Sequence, residues 1–257
     1  MKVAIIGCGR ITLNHVKAVE ANGLELAALC DVVPGKAEGL LERSAWAGPA
    51  PKIFEDYREM LATVPEIELV AVATESGEHA RIALDCIDAD KNVIVEKPIA
   101  LSMADADEIV RRAGERGVKV SACHQNRFNV AVRHARRAVE EGRFGRMSHG
   151  SVHVRWNRGR AYYDQAPWRG TWAQDGGCLM NQCIHGIDLL RWMMGGEVVS
   201  VCAPDAPALP RTTWRQRTWR GHPDVRRAAP WPPSRGRRTC SPGTSRRRST
   251  YSARREP

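Results

Sequence analysis

At 257 residues and 43% hydrophobic content the chain can bury a sizeable core, and no apolar run approaches the roughly 20 residues of a helical membrane span, so a globular protein without a membrane helix is expected. The formal charge of +10 sits in the tail: residues 204–257 hold 14 Arg, no Lys and three acids, a balance of +11, and residues 1–203 stand at −1, which argues against a nucleic-acid partner for the body. Eight cysteines with no Cys-x-x-Cys pair argue against zinc and against a disulfide framework, and the opening is too short for a signal segment, so reduced thiols, no metal and a cytoplasmic setting are the expectation.

The first element is the apolar run Val3–Ile6, which ends in Gly7-Cys8-Gly9-Arg10-Ile11-Thr12 and passes into a helical pattern through Leu13, Val16 and Val19. Strand, glycine turn and helix in that order suit a dinucleotide: Gly7 permits the tight turn, Gly9 lets backbone approach a pyrophosphate, and the free N–H groups of the helix start meet its charge. Thr12 stands where a third glycine would be. The second strand, Leu24–Cys30, ends at Asp31, 22 residues after Gly9, close to the spacing of an acid that hydrogen-bonds a ribose diol. A carboxylate there repels a 2′-phosphate, so NAD is expected over NADP, with Arg10 softening the preference. A solvated strand end is the alternative for Asp31.

Glu68–Thr74 reads as a third strand, apolar on both faces, whose end at Thr74 points toward ligand. Ser76, Gly77 and His79 open a helix to about Ala89, with His79 a hydrogen-bonding residue of the helix start beside the cofactor. A fourth strand, Lys91–Val95, runs into Glu96-Lys97-Pro98, and a charged pair at the carboxyl end of a buried parallel strand lies where such sheets bind ligands. Lys97 is a candidate for hydrogen-bonding a substrate hydroxyl and sharing in its proton transfer; a solvated loop lysine is the bland alternative. A helix over Ala104–Glu115, a strand over Val118–Ala122 and the polar stretch Cys123–Asn129 complete the alternation.

With the glycine turn, Asp31 and Glu96-Lys97-Pro98 together, the sequence from Met1 to about Val201 resembles the glucose-fructose oxidoreductase, inositol dehydrogenase and rhizopine-catabolism (Gfo/Idh/MocA) family. The resemblance implies that Lys97 lies beside the nicotinamide and the reacting carbon, that a later helix supplies a histidine, and that Asn126 contacts substrate and Gln125 the cofactor. That helix is visible in Gly176–Leu190, where Asn181, His185 and Asp188 are spaced i, i+4, i+7 on one face. His185 is suited to accept a hydroxyl proton near neutral pH while hydride leaves the same carbon. Many family members carry aspartate where Asn181 stands, and the Asn-Gln-x-x-His form resembles the branch that oxidises nucleotide-linked sugars, including UDP-N-acetylglucosaminuronate. That branch commonly shows three glycines before the helix; here Gly176-Gly177 is followed by Cys178. Ser148–Trp156 alternates like a strand of an open sheet, and Arg155, Asn157, Trp168 and Arg169 are candidate pocket residues, since Arg suits phosphate or carboxylate and Trp suits a sugar face or a core.

The expected fold is α/β: an N-terminal Rossmann dinucleotide-binding domain (1–122), an incomplete α+β domain with an open, mainly antiparallel sheet (123–203), and an Arg/Pro-rich tail (204–257). The tail holds 9 of the 15 prolines and lacks Ile, Phe, Met, Lys and Asn, so it has little with which to build a core and is expected to be disordered. The absent residues are those with A- or T-rich codons, as in a GC-rich gene read out of frame. Back-translated from the third base of each codon, with permitted codon choices, Thr212–Arg220 gives DVEAEDVA and Ser234–Pro257 gives EGTTNVFPGNLEETLYILGEKGA, strings that read like a normal continuation of the family. The functional expectation is hydride transfer between NAD and a secondary alcohol of a sugar or nucleotide sugar. The family implies a homo-oligomer, which this tail would impair. Open alternatives are an inositol or free-sugar dehydrogenase, an NAD-dependent glycosidase, and a non-catalytic NAD-binding remnant.

Overall fold

Strands that are apolar on both faces must be covered on both faces, and the first half of the chain satisfies this by alternating strand and helix. A computed structural model describes residues 1–202 and 224–227. In chain order the first half is β1 (Lys2–Ile6), α1 (Thr12–Ala21), β2 (Glu25–Cys30), α2 (Lys36–Ser44), β3 (Lys52–Phe54), α3 (Tyr57–Thr63), β4 (Leu69–Val72), α4 (His79–Asp88), β5 (Asn92–Val95), α5 (Met103–Arg116) and β6 (Val120–Ala122). The six strands form one parallel sheet in the order β3-β2-β1-β4-β5-β6. Because side chains alternate across a strand, Val3 and Ile5 enter the layer under α1 and α2, with Val16, Leu26, Leu29 and Leu40. Ala4 and Ile6 enter the opposite layer, with Met60, Val70, Val72, Ile82, Ile87 and Ile109. The strand order reverses between β1 and β4, and the crevice outside their carboxyl ends is where open α/β sheets take ligands.

The five predicted strands and the helices around them are present with ends shifted by a few residues. Periodicity alone left the chain between Asp31 and Glu68 without an element, and there the structure places α2, β3 and α3. β3 is only three residues long and half-exposed at the sheet edge, so it carries no apolar alternation to read.

The second half contains a 3-10 turn (Gln125–Phe128), α6 (Val130–Glu140), two single-turn helices α7 (Arg160–Tyr163) and α8 (Trp172–Asp175), a π turn (Leu179–Cys183), α9 (Ile184–Met194), and β7 (Val198–Cys202) paired antiparallel with β8 (Asp224–Arg227). Two expectations fail here. Ser148–Trp156 forms no strand, and among the described residues the mainly antiparallel sheet is reduced to the β7·β8 pair. A strand exists only with a hydrogen-bonding neighbour, and this stretch has none among the described residues; it lies on α9 instead, where a Cβ placed on Gly186 would meet Val152 Cγ2 at 3.0 Å and Val154 Cγ2 at 3.2 Å. Within the tail, 224–227 departs from the expected disorder by pairing antiparallel with β7. The rest of the tail, with its back-translated strings, lies outside the described residues.

The turn after β1 has little tolerance. Gly7 has φ +93°, and a Cβ there would lie 2.6 Å from the carbonyl oxygen of Ala73. Gly7→Ala is expected to destabilise the domain by roughly 2 kcal/mol or more, because a left-handed backbone and a backbone clash both oppose the side chain. A melting temperature within a degree of the parent's would show that the turn does not need glycine.

Candidate active site

The glycine turn is built from its own side chains. Thr12, where a third glycine was expected, is fully buried, and its hydroxyl donates to the Gly7 carbonyl at 2.7 Å, so the residue ties the turn to the start of α1. Asp31 is not a solvated strand end: Oδ2 accepts from the Cys8 amide at 2.8 Å, Oδ1 accepts from the Val33 amide at 3.0 Å, and Lys36 Nζ lies 3.6 Å away. An ionised carboxylate has about four lone-pair positions, so it can hold the turn and still accept from a ribose hydroxyl. Gly9 has open space where a Cβ would be, Arg10 and Ile11 are exposed beside it, and α1 begins at Thr12 with Ile11 as its N-cap residue and no side-chain cap. Open backbone in front of an uncapped helix start fits a pyrophosphate.

At the end of β5 the Lys97–Pro98 peptide is cis. Glu96 is buried, accepts from His15 Nε2 of α1 at 3.0 Å and from the Lys97 amide at 3.3 Å, and thereby joins the two ligand-facing elements. Burial pushes the Glu96 carboxyl up, but the His15 bond and charge and the Lys97 amide outweigh it and hold the group below the ordinary carboxylate range. Cys123 completes this cluster: burial and the hydrogen bond to Glu96 raise its thiol to about 12, so it stays protonated. Thr74, at the end of β4, is half-buried. His79, expected beside the cofactor, is buried with Nδ1 2.7 Å from the Pro98 carbonyl and Nε2 3.1 Å from the Thr74 carbonyl; the ring N–H donates to one of the two, depending on the tautomer, and the imidazole packs between the two strand ends.

The residue that meets Lys97 comes from the π turn. Lys97 Nζ donates to the Asn181 backbone carbonyl at 3.1 Å and to its Oδ1 at 3.0 Å. Asn181 Nδ2 donates to Oδ1 of Asp175, a fully buried carboxylate whose Oδ2 also accepts from the Gly170 amide at 2.9 Å. Burial lowers the Lys97 ammonium below its ordinary range, Glu96 and Asp175 pull it partly back, and Arg169 lowers it further. One turn on, His185 is buried with Nδ1 lacking a hydrogen-bond partner among the described residues. Its pKa lies below the ordinary 6.5 because of burial first and then the positive charge of Lys97 and His124. The imidazole is therefore neutral near pH 7 and able to take a proton.

Asp188 is the main departure on this helix. Arg127 holds both of its oxygens, Nε to Oδ2 at 2.8 Å and Nη2 to Oδ1, and His124 Nδ1 lies 3.6 Å off, in ion-pair range but beyond a hydrogen bond. Expected to bind substrate, Asp188 instead clamps α9 to the 3-10 turn after β6. Gln125 is exposed and Asn126 half-buried on that turn. Arg169 stacks between Trp168, 4.6 Å from its ring centre, and Tyr162, 4.5 Å, and donates to the Tyr162 hydroxyl at 2.7 Å. Arg155 and Asn157 are exposed on the extended stretch before α7 and are not drawn into this group. Sequence reasoning missed His15, Asp175 and Arg127. The first sits at helix spacing from the glycine turn, the second immediately before two glycines, and the third in a polar run noted only as a whole.

Residues 1–124 match the model described as oxidoreductase family, NAD-binding Rossmann fold, and residues 132–222 match the Gfo/Idh/MocA C-terminal domain. Among solved structures, the WlbA dehydrogenases of Chromobacterium violaceum and Bordetella pertussis, both in complex with NADH and UDP-GlcNAcA, are 36% and 35% identical. Each superposes with a TM-score of 0.71 over 77% of this chain, and the match covers 56% and 59% of those chains. A curated relative, inositol 2-dehydrogenase 2 of Saccharopolyspora erythraea, is 29% identical over 210 residues, 79% of this chain and 56% of its own length. The chain thus spans little more than half the length of the relatives it matches. It belongs to the Gfo/Idh/MocA oxidoreductase family.

Proposed function

We propose that this chain carries the hydride-transfer site of an NAD-dependent dehydrogenase acting on a secondary alcohol of a nucleotide-linked sugar, a UDP-N-acetylhexosaminuronate in particular. The observation that carries the reading is the meeting of Lys97, from the carboxyl end of β5, with Asn181 on the turn that leads into His185, beside the open glycine turn of the dinucleotide domain. The choice of a UDP-sugar over inositol rests on the Asn-Gln-x-x-His form and on the higher identity to the two WlbA dehydrogenases than to the inositol enzyme.

The nicotinamide supplies the hydride acceptor; the protein supplies alignment and proton transfer. Two of the three N–H donors of Lys97 are committed to Asn181, which leaves one to hold the oxygen of the reacting alcohol. His185, neutral at pH 7, accepts the hydroxyl proton as the hydrogen on carbon departs with its electron pair. The half-buried, stacked Arg169 adds a fixed positive charge for a sugar carboxylate.

Incubating the full chain with NAD and UDP-GlcNAcA is expected to produce NADH, with myo-inositol giving none; the reverse preference would place the chain with the polyol dehydrogenases. Lys97→Met and His185→Ala are each expected to lower kcat by roughly 10²-fold or more with NAD affinity retained. Unchanged turnover in either variant would remove that residue from the proton transfer. The acid limb of the kcat/KM profile reports His185 in the free enzyme: a base whose pKa lies below the ordinary value keeps its active neutral form to lower pH, so kcat/KM should fall only below pH 6.5. In fluorescence titrations NAD is expected to bind more tightly than NADP, with Asp31→Asn narrowing the difference. An NADP preference in the parent chain would contradict the role given to Asp31.

A further inference from the structure

We propose that Asp175 is a positioning residue for Lys97, acting through the side-chain amide of Asn181. The inference rests on Lys97 serving the proton transfer described above, but the geometry beneath it stands on its own. Asp175 ends α8, is fully buried, and has one oxygen on the Gly170 amide at 2.9 Å and the other on Asn181 Nδ2. Asn181 Oδ1 is 3.0 Å from Lys97 Nζ. A carboxylate only accepts and an ammonium only donates, so an amide between them has one orientation that satisfies both: NH2 toward Asp175, carbonyl toward Lys97. Asp175 therefore adds to Lys97's own preference in fixing which end of the amide Lys97 meets. Without it the flipped amide loses one of its two penalties, the carbonyl facing a carboxylate, and keeps the other, NH2 facing the ammonium.

The arrangement also places a negative charge one group away from Lys97 rather than against it. Direct contact would commit the ammonium to an ion pair; at one amide's remove, the charge favours the protonated lysine while leaving its third N–H for substrate. The other charged or titratable groups around Lys97 come from different elements. They are Glu96 from its own strand exit, Arg169 from the stretch before α8, His185 from α9, and His124 from the segment after β6. Glu96 is tied to His15 and to the Lys97 amide, so Asp175 is the acid that acts on the ammonium from the second half of the chain.

The test is trace acylation of the full chain with acetic anhydride across pH, reading the Lys97 peptide by mass spectrometry, since only the neutral amine reacts. In Asp175→Asn the midpoint for Lys97 is expected to fall by roughly one pH unit, and moving the acid back, in Asp175→Asn with Asn181→Asp, should restore it. A purely structural role for Asp175 would not be rescued by relocating the charge. An unchanged midpoint in Asp175→Asn with NAD binding intact would overturn the proposal. If Asp175→Asn loses NAD binding through misfolding, Asn181→Ala, which leaves the Asp175–Gly170 bond in place, must show the same fall, and an unchanged midpoint there overturns it equally. The acylation readout needs no turnover. A chain inactive on every UDP-sugar but showing the shift and rescue would refute the proposed function and leave the coupling standing.

Discussion

The contact between Lys97 and Asn181 is the one on which the site depends. It joins the exit of a buried strand to a turn 84 residues later, and both partners are defined by backbone as much as by side chain: the lysine follows β5, and one of its two acceptors is the Asn181 carbonyl. A buried ammonium is unfavourable unless its donors are met, so the strand exit and the π turn are each held in place by the need of the other. The Arg127–Asp188 pair does the same work one helical turn away, binding α9 to the segment after β6. Removing either link would leave a charge stranded in a half-buried setting, which makes these contacts better guarantors of geometry than apolar packing alone.

The dinucleotide half was legible because its signals are local. Val3–Ile6, Glu68–Thr74 and Lys91–Val95 are short apolar runs ended by glycine or charge, and the position of Asp31 follows from a spacing. Even there the sequence could place Asp31 at the end of β2 but not show that its two oxygens fasten the Cys8 and Val33 amides. His79 illustrates the limit: a polar residue at a helix start beside a ligand site has the pattern of a cofactor contact, and only three-dimensional packing brings the Pro98 and Thr74 carbonyls to its ring.

The second half was less legible because its partners are distant in sequence. The alternation of Ser148–Trp156 is genuine, with Val152 and Val154 facing α9, but alternation reports which side is covered and not whether a strand lies alongside. Asn181, His185 and Asp188 were expected to act together from one helix face; the first two remain near Lys97, whereas Asp188 is taken by an arginine 61 residues away. Asp175 was invisible as a site residue since nothing in its spacing distinguishes it from the acid of an ordinary helix end before glycine.

The π turn has a consequence for how this region tolerates change. An α-helix rotates about 100° per residue, so the five-residue step from Cys178 to Cys183 would carry two side chains to different faces of a regular helix. The wider turn brings them back together, with their sulfurs 3.6 Å apart. Five residues here close about the turn that four close in an α-helix, so the extra residue is absorbed locally and the glycine-bearing lead-in keeps its phase with α9. A single-residue deletion between Leu179 and Cys183 would therefore restore a regular helix and turn the lead-in, Asp175 included, only slightly relative to His185. What the deletion would undo is the local pairing that the wide turn sets, Cys178 against Cys183.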